Sequence, residues 1–361
     1  MSRTTGTVLI MAGGTGGHVF PALAVAEQLR AQGIPVAWMG TRDGLEARVV
    51  PPTGIPLHWV DVKGLRGKGL VRWFSAPFML LSAAWQAMRV IRSVRPIAVL
   101  GMGGFVTGPG GIMAWLLRKP LLIHEQNAVA GLTNRLLAPF AKRVLAGFPN
   151  SLRGAEHTGN PVRASLIGVE RHVYSRERQP RLLVVGGSLG AAAFNEIVPR
   201  ALASLESAKR PEVWHQTGLK HLESAQASYR DAGVAARIDA FIEDMAAAYV
   251  WADLVLCRSG ALTIAELAAV GVASILVPYP HAVDDHQTLN ARYLTDAGAA
   301  LLMPQTEMSA AHLAQELALV NRPDQLQRMA DKARALGIPD AARRVADRCM
   351  AAARVAGGVA A

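Results

Sequence analysis

Two cysteines in 361 residues, Cys257 and Cys349, are too few for a disulfide framework or a cysteine metal cluster. Both read as small buried hydrophobes, as a reducing cytoplasm allows. Long apolar runs are missing as well. The uncharged stretch Trp73 to Met88 is interrupted by Ser75, Pro77, Ser82 and Gln86 and falls short of the ~20 mostly apolar residues of a spanning helix. The opening residues, MSRTTGTVLIMAGG, hold only a short apolar run before glycines intervene, which fits a first β-strand and not a secretory signal. Acidic residues are outnumbered, 27 against 38 basic, for a formal net charge of +11. Anionic partners follow: nucleic acid, a phosphorylated substrate or acidic lipid. Nucleic acid is the weakest of the three, because the basic residues are scattered and no finger, basic zipper or RNP-type aromatic motif occurs.

Apolar strands and glycine are what the chain has in quantity. With 51% hydrophobic and 18% charged residues it is well cored, and its length accommodates two domains. Short apolar runs alternate with helical stretches: Val8 to Met11, Val36 to Met39, Ile97 to Leu100, Leu121 to Ile123 and Val144 to Ala146. After Thr158-Gly159-Asn160-Pro161 the pattern restarts with Leu182 to Val185, Glu212 to His215, Asp253 to Cys257, Ala273 to Val277 and Ala300 to Met303. Such alternation implies two doubly wound α/β domains of parallel strands joined near Pro161. Open sheets of this kind bind ligands at the carboxyl ends of their strands, so the active site is expected in a cleft between the two domains.

Three glycine-rich loops sit where a strand hands over to a helix: VLIMAGGTGGHVFPALAVAEQL (Val8 to Leu29), AVLGMGGFVTGPGGIMAWLL (Ala98 to Leu117) and RLLVVGGSLGAAAFNEIV (Arg181 to Val198). Glycine lets bare backbone N–H groups approach a ligand, and a helix N-terminus adds roughly half a positive charge, so each junction is a candidate diphosphate seat. Standard cofactor patterns do not fit. A dinucleotide fold wants G-x-G-x-x-G and an acid about 20 residues on. Gly14 and Gly16 match, but Val19 stands third, and Asp43, the nearest acid after Met39-Gly40-Thr41-Arg42, is badly placed. No G-x-x-x-x-G-K-[ST] occurs either. No cofactor is assigned.

Polar residues cluster at the same strand ends. His18 ends the first loop, where an imidazole serves structure, binds charge or moves a proton. The segment LLIHEQNAVAGLTNR sets His124, Glu125, Gln126 and Asn127 directly after a buried strand, either as a satisfied cluster or as ligand contacts, with Glu125 a candidate base. Ser259-Gly260 opens a helix whose first turns carry Thr263 and Glu266, a carboxylate suited to vicinal ribose hydroxyls. Asp284, Asp285, His286, Gln287 and Asn290 follow the next strand; they suit sugar hydroxyls and lack a recognised metal-ligand spacing, so no metal is assigned.

In order along the chain, MAGGTGGHVFPALAVA, GLRGKG, GMGGFVTGPGG, HEQNAVAGLTN, GNPVR, VVGGSLGA, FIEDMAAAYVWADLVLCRSGALTIAELAAVG and DDHQTLNA resemble the successive signatures of one family. It is the bacterial MurG family of UDP-N-acetylglucosamine:undecaprenyl-diphospho-muramoylpentapeptide N-acetylglucosaminyltransferases, in glycosyltransferase family 28. The resemblance implies a GT-B architecture of two facing Rossmann-like domains. Residues 1–161, with a returning helix over 340–361, would form the acceptor and membrane-associating domain, and residues 162–339 the donor domain. It also implies an inverting, metal-independent transfer of N-acetylglucosamine from UDP-GlcNAc to the C4 hydroxyl of the muramoyl sugar in lipid I, yielding lipid II and UDP for peptidoglycan.

Matched motif to motif, the donor contacts fall on Thr15, Gly16, Gly17, Asn127, Arg163, Ser188, Ile242, Ala261, Leu262, Thr263, Ile264, Ala265, Glu266 and Gln287. Backbone at Ile242 would pair with uracil and Glu266 with ribose. His18 and Glu125 both stand as candidates for the catalytic base. Gly13, Gly14, Gly103 and Gly104 are expected at the acceptor's diphosphate. A UDP-N-acetylglucosamine 2-epimerase of the same architecture is the alternative, and a nicotinamide oxidoreductase is disfavoured by Val19.

One segment remains. Lys63, Arg66, Lys68 and Arg72 precede Trp73 to Met88, and Arg89, Arg92 and Arg95 follow it. The stretch either lies in a membrane interface, with Trp73, Phe74, Phe78 and Trp85 toward lipid and basic flanks on anionic headgroups, or packs a core face through Val71, Phe74, Phe78, Leu81 and Trp85. A family that works on the inner face of the cytoplasmic membrane favours peripheral insertion there.

Overall fold

Strands that are apolar at every position must be covered on both faces, and the chain meets that demand with parallel sheets sandwiched between helices. The computed structural model describes residues 6–62, 70–171, 174, 177–187 and 190–356, with the main chain alone at 70–76, 283 and 356. Two compact units result, Met1–Arg163 with Pro339–Ala361, and Ala164–Ile338.

In the first unit the strands are β1 (Val8–Met11), β2 (Val36–Gly40), β3 (Leu57–Trp59), β4 (Ala98–Gly101), β5 (Leu121–Glu125), β6 (Arg143–Ala146) and β7 (Glu156–His157). They form one parallel sheet in the order β3-β2-β1-β4-β5-β6-β7. Its helices are α1 (Gly16–Ala31), α2 (Glu46–Val49), α3 (Leu70–Val94), α4 (Thr107–Leu116) and α5 (Leu132–Leu137). Side chains alternate across the sheet. Val8 and Ile10 join a core with Val19, Val25 and Leu29 of α1, while Leu9 and Met11 join one with Ala83, Ala87 and Ile91 of α3.

The second unit has β8 (Arg181–Val185), β9 (Glu212–Gln216), β10 (Arg237–Asp239), β11 (Leu254–Cys257), β12 (Ala273–Leu276) and β13 (Ala300–Leu302). They pair in parallel in the order β10-β9-β8-β11-β12-β13. Its helices are α6 (Ala192–Ala203), α7 (Leu222–Asp231), α8 (Met245–Trp251), α9 (Ala261–Val270), α10 (His286–Thr295), α11 (Ala310–Leu317) and α12 (Pro323–Leu336). The chain then re-enters the first unit as α13 (Ala341–Ala356), whose Val345, Ala346, Cys349 and Met350 complete the core over α1. Burial pushes the Cys349 thiol up to about 12, so it acts as a small hydrophobe.

Each sheet grows outward in both directions from its first strand, which creates a switch point where consecutive crossovers diverge. In the first unit it lies between β1 and β4, so the first two glycine loops leave the sheet side by side. In the second it lies between β8 and β11, bringing the third glycine loop beside Arg258-Ser259-Gly260.

Helix α3 resolves the question left by its sequence. Ala83, Ala87 and Ile91, spaced four apart, face the sheet and are buried, whereas Phe78, Leu81 and Trp85 are 76%, 68% and 54% exposed. The core-packing alternative for these three is overturned: small side chains let the helix sit close to the sheet, and the large ones point to solvent. The side chains of Trp73 and Phe74 lie outside the described residues. No described helix is long and apolar enough to cross a membrane.

Candidate active site

At the first switch point the two glycine loops interlock. Gly103 and Gly104 have φ of 99° and 86°, which only glycine adopts without strain. A Cβ on Gly104 would strike the Gly13 carbonyl oxygen, and one on Gly103 would stand 2.6 Å from His18 Nδ1. The second loop thus supplies the floor on which the first loop and its imidazole rest. Thr15 precedes α1 in extended conformation with no side-chain capping bond, and the first turn holds no acid. The N–H groups that open α1 therefore present their partial positive charge to an anion.

Glu46, which the sequence did not single out, shapes this loop. Its buried carboxylate accepts from Gly14 N at 2.9 Å, Thr41 N at 2.7 Å and Thr41 Oγ1 at 2.7 Å, and lies against Gly13, Gly40 and Gly44. The acid sought at the end of the second strand is thus present, reaching back from α2. It spends its oxygens on two backbone N–H groups and the Thr41 hydroxyl.

The His124–Asn127 cluster forms a hydrogen-bonded network. Glu125, 2% exposed, accepts from Asn127 N (3.0 Å) on Oε1, and from Gly131 N (3.1 Å) and Asn134 Nδ2 (2.8 Å) on Oε2. With both oxygens engaged it staples the loop before α5, and protonation would weaken those bonds. His124 Nε2 lies 3.0 Å from the Gly159 carbonyl, Gln126 Nε2 lies 3.1 Å from His124 Nδ1, and Gln126 Oε1 lies 3.0 Å from His18 Nδ1. Asn160 Nδ2 donates to the Gln126 carbonyl at 2.9 Å, so the Gly159-Asn160-Pro161-Val162-Arg163 segment closes the network from behind. Arg163 stacks over Phe20 at 4.9 Å from the ring centre.

In the second unit Gly260 caps α9 with backbone alone, and α6 likewise opens without a side-chain cap. Ala261, Ile264 and Glu266 are buried, while Leu262, Thr263 and Ala265 are half-buried. Tyr249, fully buried on α8, donates its hydroxyl to Glu266 Oε2 at 3.0 Å; nothing in the sequence pointed to this partner. Asn290 ties α10 to the Ser259 carbonyl at 3.2 Å, and Gln287 Oε1 accepts from Tyr279 N at 2.9 Å. Ile242 is buried in the loop after β10, and Ser188 lies outside the described residues. Arg258, half-buried at the end of β11, donates to the carbonyls of Val277 and Pro278 and stacks over Phe194. Among the described residues no group of three His, Cys, Asp or Glu side chains is arranged to hold a metal ion.

Among the described residues each unit buries one neutral histidine. Burial pushes His124 down from 6.5 to about 4, against the opposing pull of the Gly159 carbonyl and Glu125, and pushes His215 down to about 3. The unfolded chain binds these protons near the ordinary value and the folded chain does not, so stability is complete above it and falls as pH drops below it. Each histidine should cost about 2 kcal/mol on going from about pH 7.5 to about pH 5. Denaturant midpoints at both pH values, compared with those of His215→Gln, measure it: the variant should lose less of its second unit's stability on acidification.

The sequence profile described as the glycosyltransferase family 28 N-terminal domain matches residues 8–146, and the family 28 C-terminal domain profile matches residues 181–345. The chain is 61% identical over 354 residues to a UDP-N-acetylglucosamine–N-acetylmuramyl-(pentapeptide) pyrophosphoryl-undecaprenol N-acetylglucosamine transferase of Alkalilimnicola ehrlichii, covering 96% of this chain and 99% of that one. A protein of the same name from Nitrosococcus oceani is 57% identical over 350 residues, covering 95% and 98%. The crystal structure of Acinetobacter baumannii MurG is 44% identical, covers 96% of this chain and 99% of its own, and superposes with a TM-score of 0.84. With two parallel-sheet Rossmann-like units and these relatives along nearly its whole length, the chain belongs to glycosyltransferase family 28, among the MurG enzymes.

Proposed function

We propose that the chain transfers N-acetylglucosamine from UDP-N-acetylglucosamine to the C4 hydroxyl of the muramoyl sugar of lipid I, releasing UDP and forming lipid II. In the geometry this rests on His18: among the described residues nothing bonds its Nε2, beside the open N-terminus of α1. The C4 oxygen attacks the anomeric carbon opposite the leaving group, its proton passes to His18 Nε2, and the bond from that carbon to the diphosphate oxygen breaks with its electron pair going to UDP. Configuration inverts. The open ends of α6 and α9 suit the donor's diphosphate, and the Gly13-Gly14 and Gly103-Gly104 loops suit the acceptor's. Family resemblance adds Thr15, Gly16, Gly17, Asn127 and Arg163 to the donor contacts.

Incubation with UDP-N-acetylglucosamine and a lipid I analogue should release UDP only when acceptor is present. UDP release without acceptor, or recovery of a C2-epimerised sugar, would overturn the transferase in favour of an epimerase. Glu266, oriented by Tyr249, is assigned to the donor's ribose. Glu266→Ala should raise the donor KM by about tenfold to a hundredfold, and Tyr249→Phe by less, with kcat changed little. An unmoved KM in both would remove Glu266 from the site.

The finer reading places the protein on the cytoplasmic face of the cell membrane as a peripheral protein. Exposed Phe78, Leu81 and Trp85 support it, as do Trp115, Leu116, Leu132, Leu136 and Phe140 on and after the neighbouring α4 and α5. Arg89 stacks over Trp85 at 4.7 Å from the ring centre, and Arg92 and Arg95 are exposed at the end of α3. Anionic lipids are the partner this surface suits, and nucleic acid is not invoked. Through lipid II the activity would bear on cell wall growth, cell shape and division.

A further inference from the structure

A chain of hydrogen bonds runs from a backbone carbonyl to His18, and each link constrains the next. The Gly159 carbonyl is an acceptor only, so His124 Nε2, 3.0 Å away, must carry the proton. Fully buried and neutral, His124 has a single ring proton, so its Nδ1 is an acceptor. The atom of Gln126 that faces Nδ1 at 3.1 Å must then be the amide NH2, which also lies 3.1 Å from the His124 carbonyl. The opposite end of that amide is an oxygen. It faces His18 Nδ1 at 3.0 Å, and His18 Nδ1 must donate to it. Neutral His18 therefore has no proton on Nε2.

We propose that His124 and Gln126 are positioning residues that hold His18 in its Nδ1–H tautomer, so that Nε2 is the bare nitrogen turned to the substrate. The role in turnover rests on the transferase reading above; the tautomer does not. The partner at His18 Nδ1 is a neutral amide, which sets the direction of the proton without adding a charge beside it. Without Gln126 the ring is released to its own equilibrium, in which the Nε2–H form competes. In that form the atom that must accept the C4 proton already carries one. The placement also accounts for two sequence features. Gly103 leaves room for the ring edge that faces Gln126, and Asn160 holds the main chain of Gln126 from the far side at 2.9 Å.

The test is the tautomer itself, read by long-range ¹H–¹⁵N correlation on the full chain labelled in histidine, at alkaline pH where the rings are neutral. His18→Asn identifies the His18 signals by their loss. In the unmodified chain, His18 should show a protonated, pyrrole-like Nδ1 and a pyridine-like Nε2, and His124 the reverse. Gln126→Met should abolish the His18 preference and lower kcat by about ten- to a hundredfold, with the KM for UDP-N-acetylglucosamine unmoved. A pyridine-like Nδ1 on His18 in the unmodified chain would overturn the inference without any variant having to fold. So would an unchanged tautomer in Gln126→Met, or a shifted tautomer with kcat intact. Acceptor-independent UDP release by the unmodified chain would instead sink the transferase reading and leave the tautomer result standing.

Discussion

Replacing His18 with alanine should lower kcat by about two to four orders of magnitude while the KM for UDP-N-acetylglucosamine stays near its original value. A general base acts only as the acceptor hydroxyl loses its proton, so its removal costs transition-state stabilisation and leaves the bound donor untouched. The ring is half-buried on the first turn of α1, its Nδ1 is occupied by Gln126, and its Nε2 has no partner among the described residues. Glu125 offers the contrast. Its carboxylate holds the 125–134 loop together through backbone and amide N–H groups, so Glu125→Gln should lower thermal stability and donor affinity together. Steady-state UDP release at saturating acceptor, paired with thermal unfolding of each variant, separates the two roles. An undiminished kcat in His18→Ala would take the base away from this imidazole.

The fold was legible in the sequence wherever strands are central and covered on both faces, because burial writes them as unbroken apolar runs. β1, β4, β8 and β11, which flank the two switch points, were all visible in this way. The strands that escaped notice are β3, β7 and β10, and each is the edge of its sheet. Glu156-His157 and Arg237-Ile238-Asp239 face solvent on one side and carry the polar residues that such a position tolerates. Glycine loops could be read as phosphate seats from local chemistry alone. What they required of their neighbours could not. Glu46 reaches Gly14 across 32 positions, and Gln126 reaches His18 across 108, so neither partnership leaves a periodic trace. A buried carboxylate such as Glu125 looks, in one dimension, like a catalytic acid. The N–H groups aimed at its oxygens, which tie it to the loop, are visible only in three dimensions.

Helix α3 shows the converse case, in which periodicity was visible but its direction was not. Phe78, Leu81 and Trp85 share a stripe that a core would accept, yet Ala83, Ala87 and Ile91 take the sheet side and leave the large residues in water. Exposure of three such side chains on one helix is costly for a protein that lives wholly in water and useful for one that docks on lipid. Fully burying a large apolar side chain is worth about 1.5–3 kcal/mol, so even half that for each residue gives roughly 3 kcal/mol, or about a hundredfold in partitioning. Phe78→Ser, Leu81→Ser and Trp85→Ser combined should therefore reduce binding to vesicles containing anionic lipid by about a hundredfold. The thermal midpoint should hold, since none of the three supports the core. Residual binding by the variant should rest on the basic flank and vanish in high salt, because headgroup attraction is screened within about 10 Å at 0.1 M. Turnover on a water-soluble acceptor analogue should survive, and turnover on a long-chain acceptor in bilayers should fall with the binding. Vesicle co-sedimentation at low and high salt measures the first effect. If the triple variant sediments with vesicles as well as the unmodified chain does, lipid meets the protein elsewhere, and the exposed stripe on α3 needs another occupant.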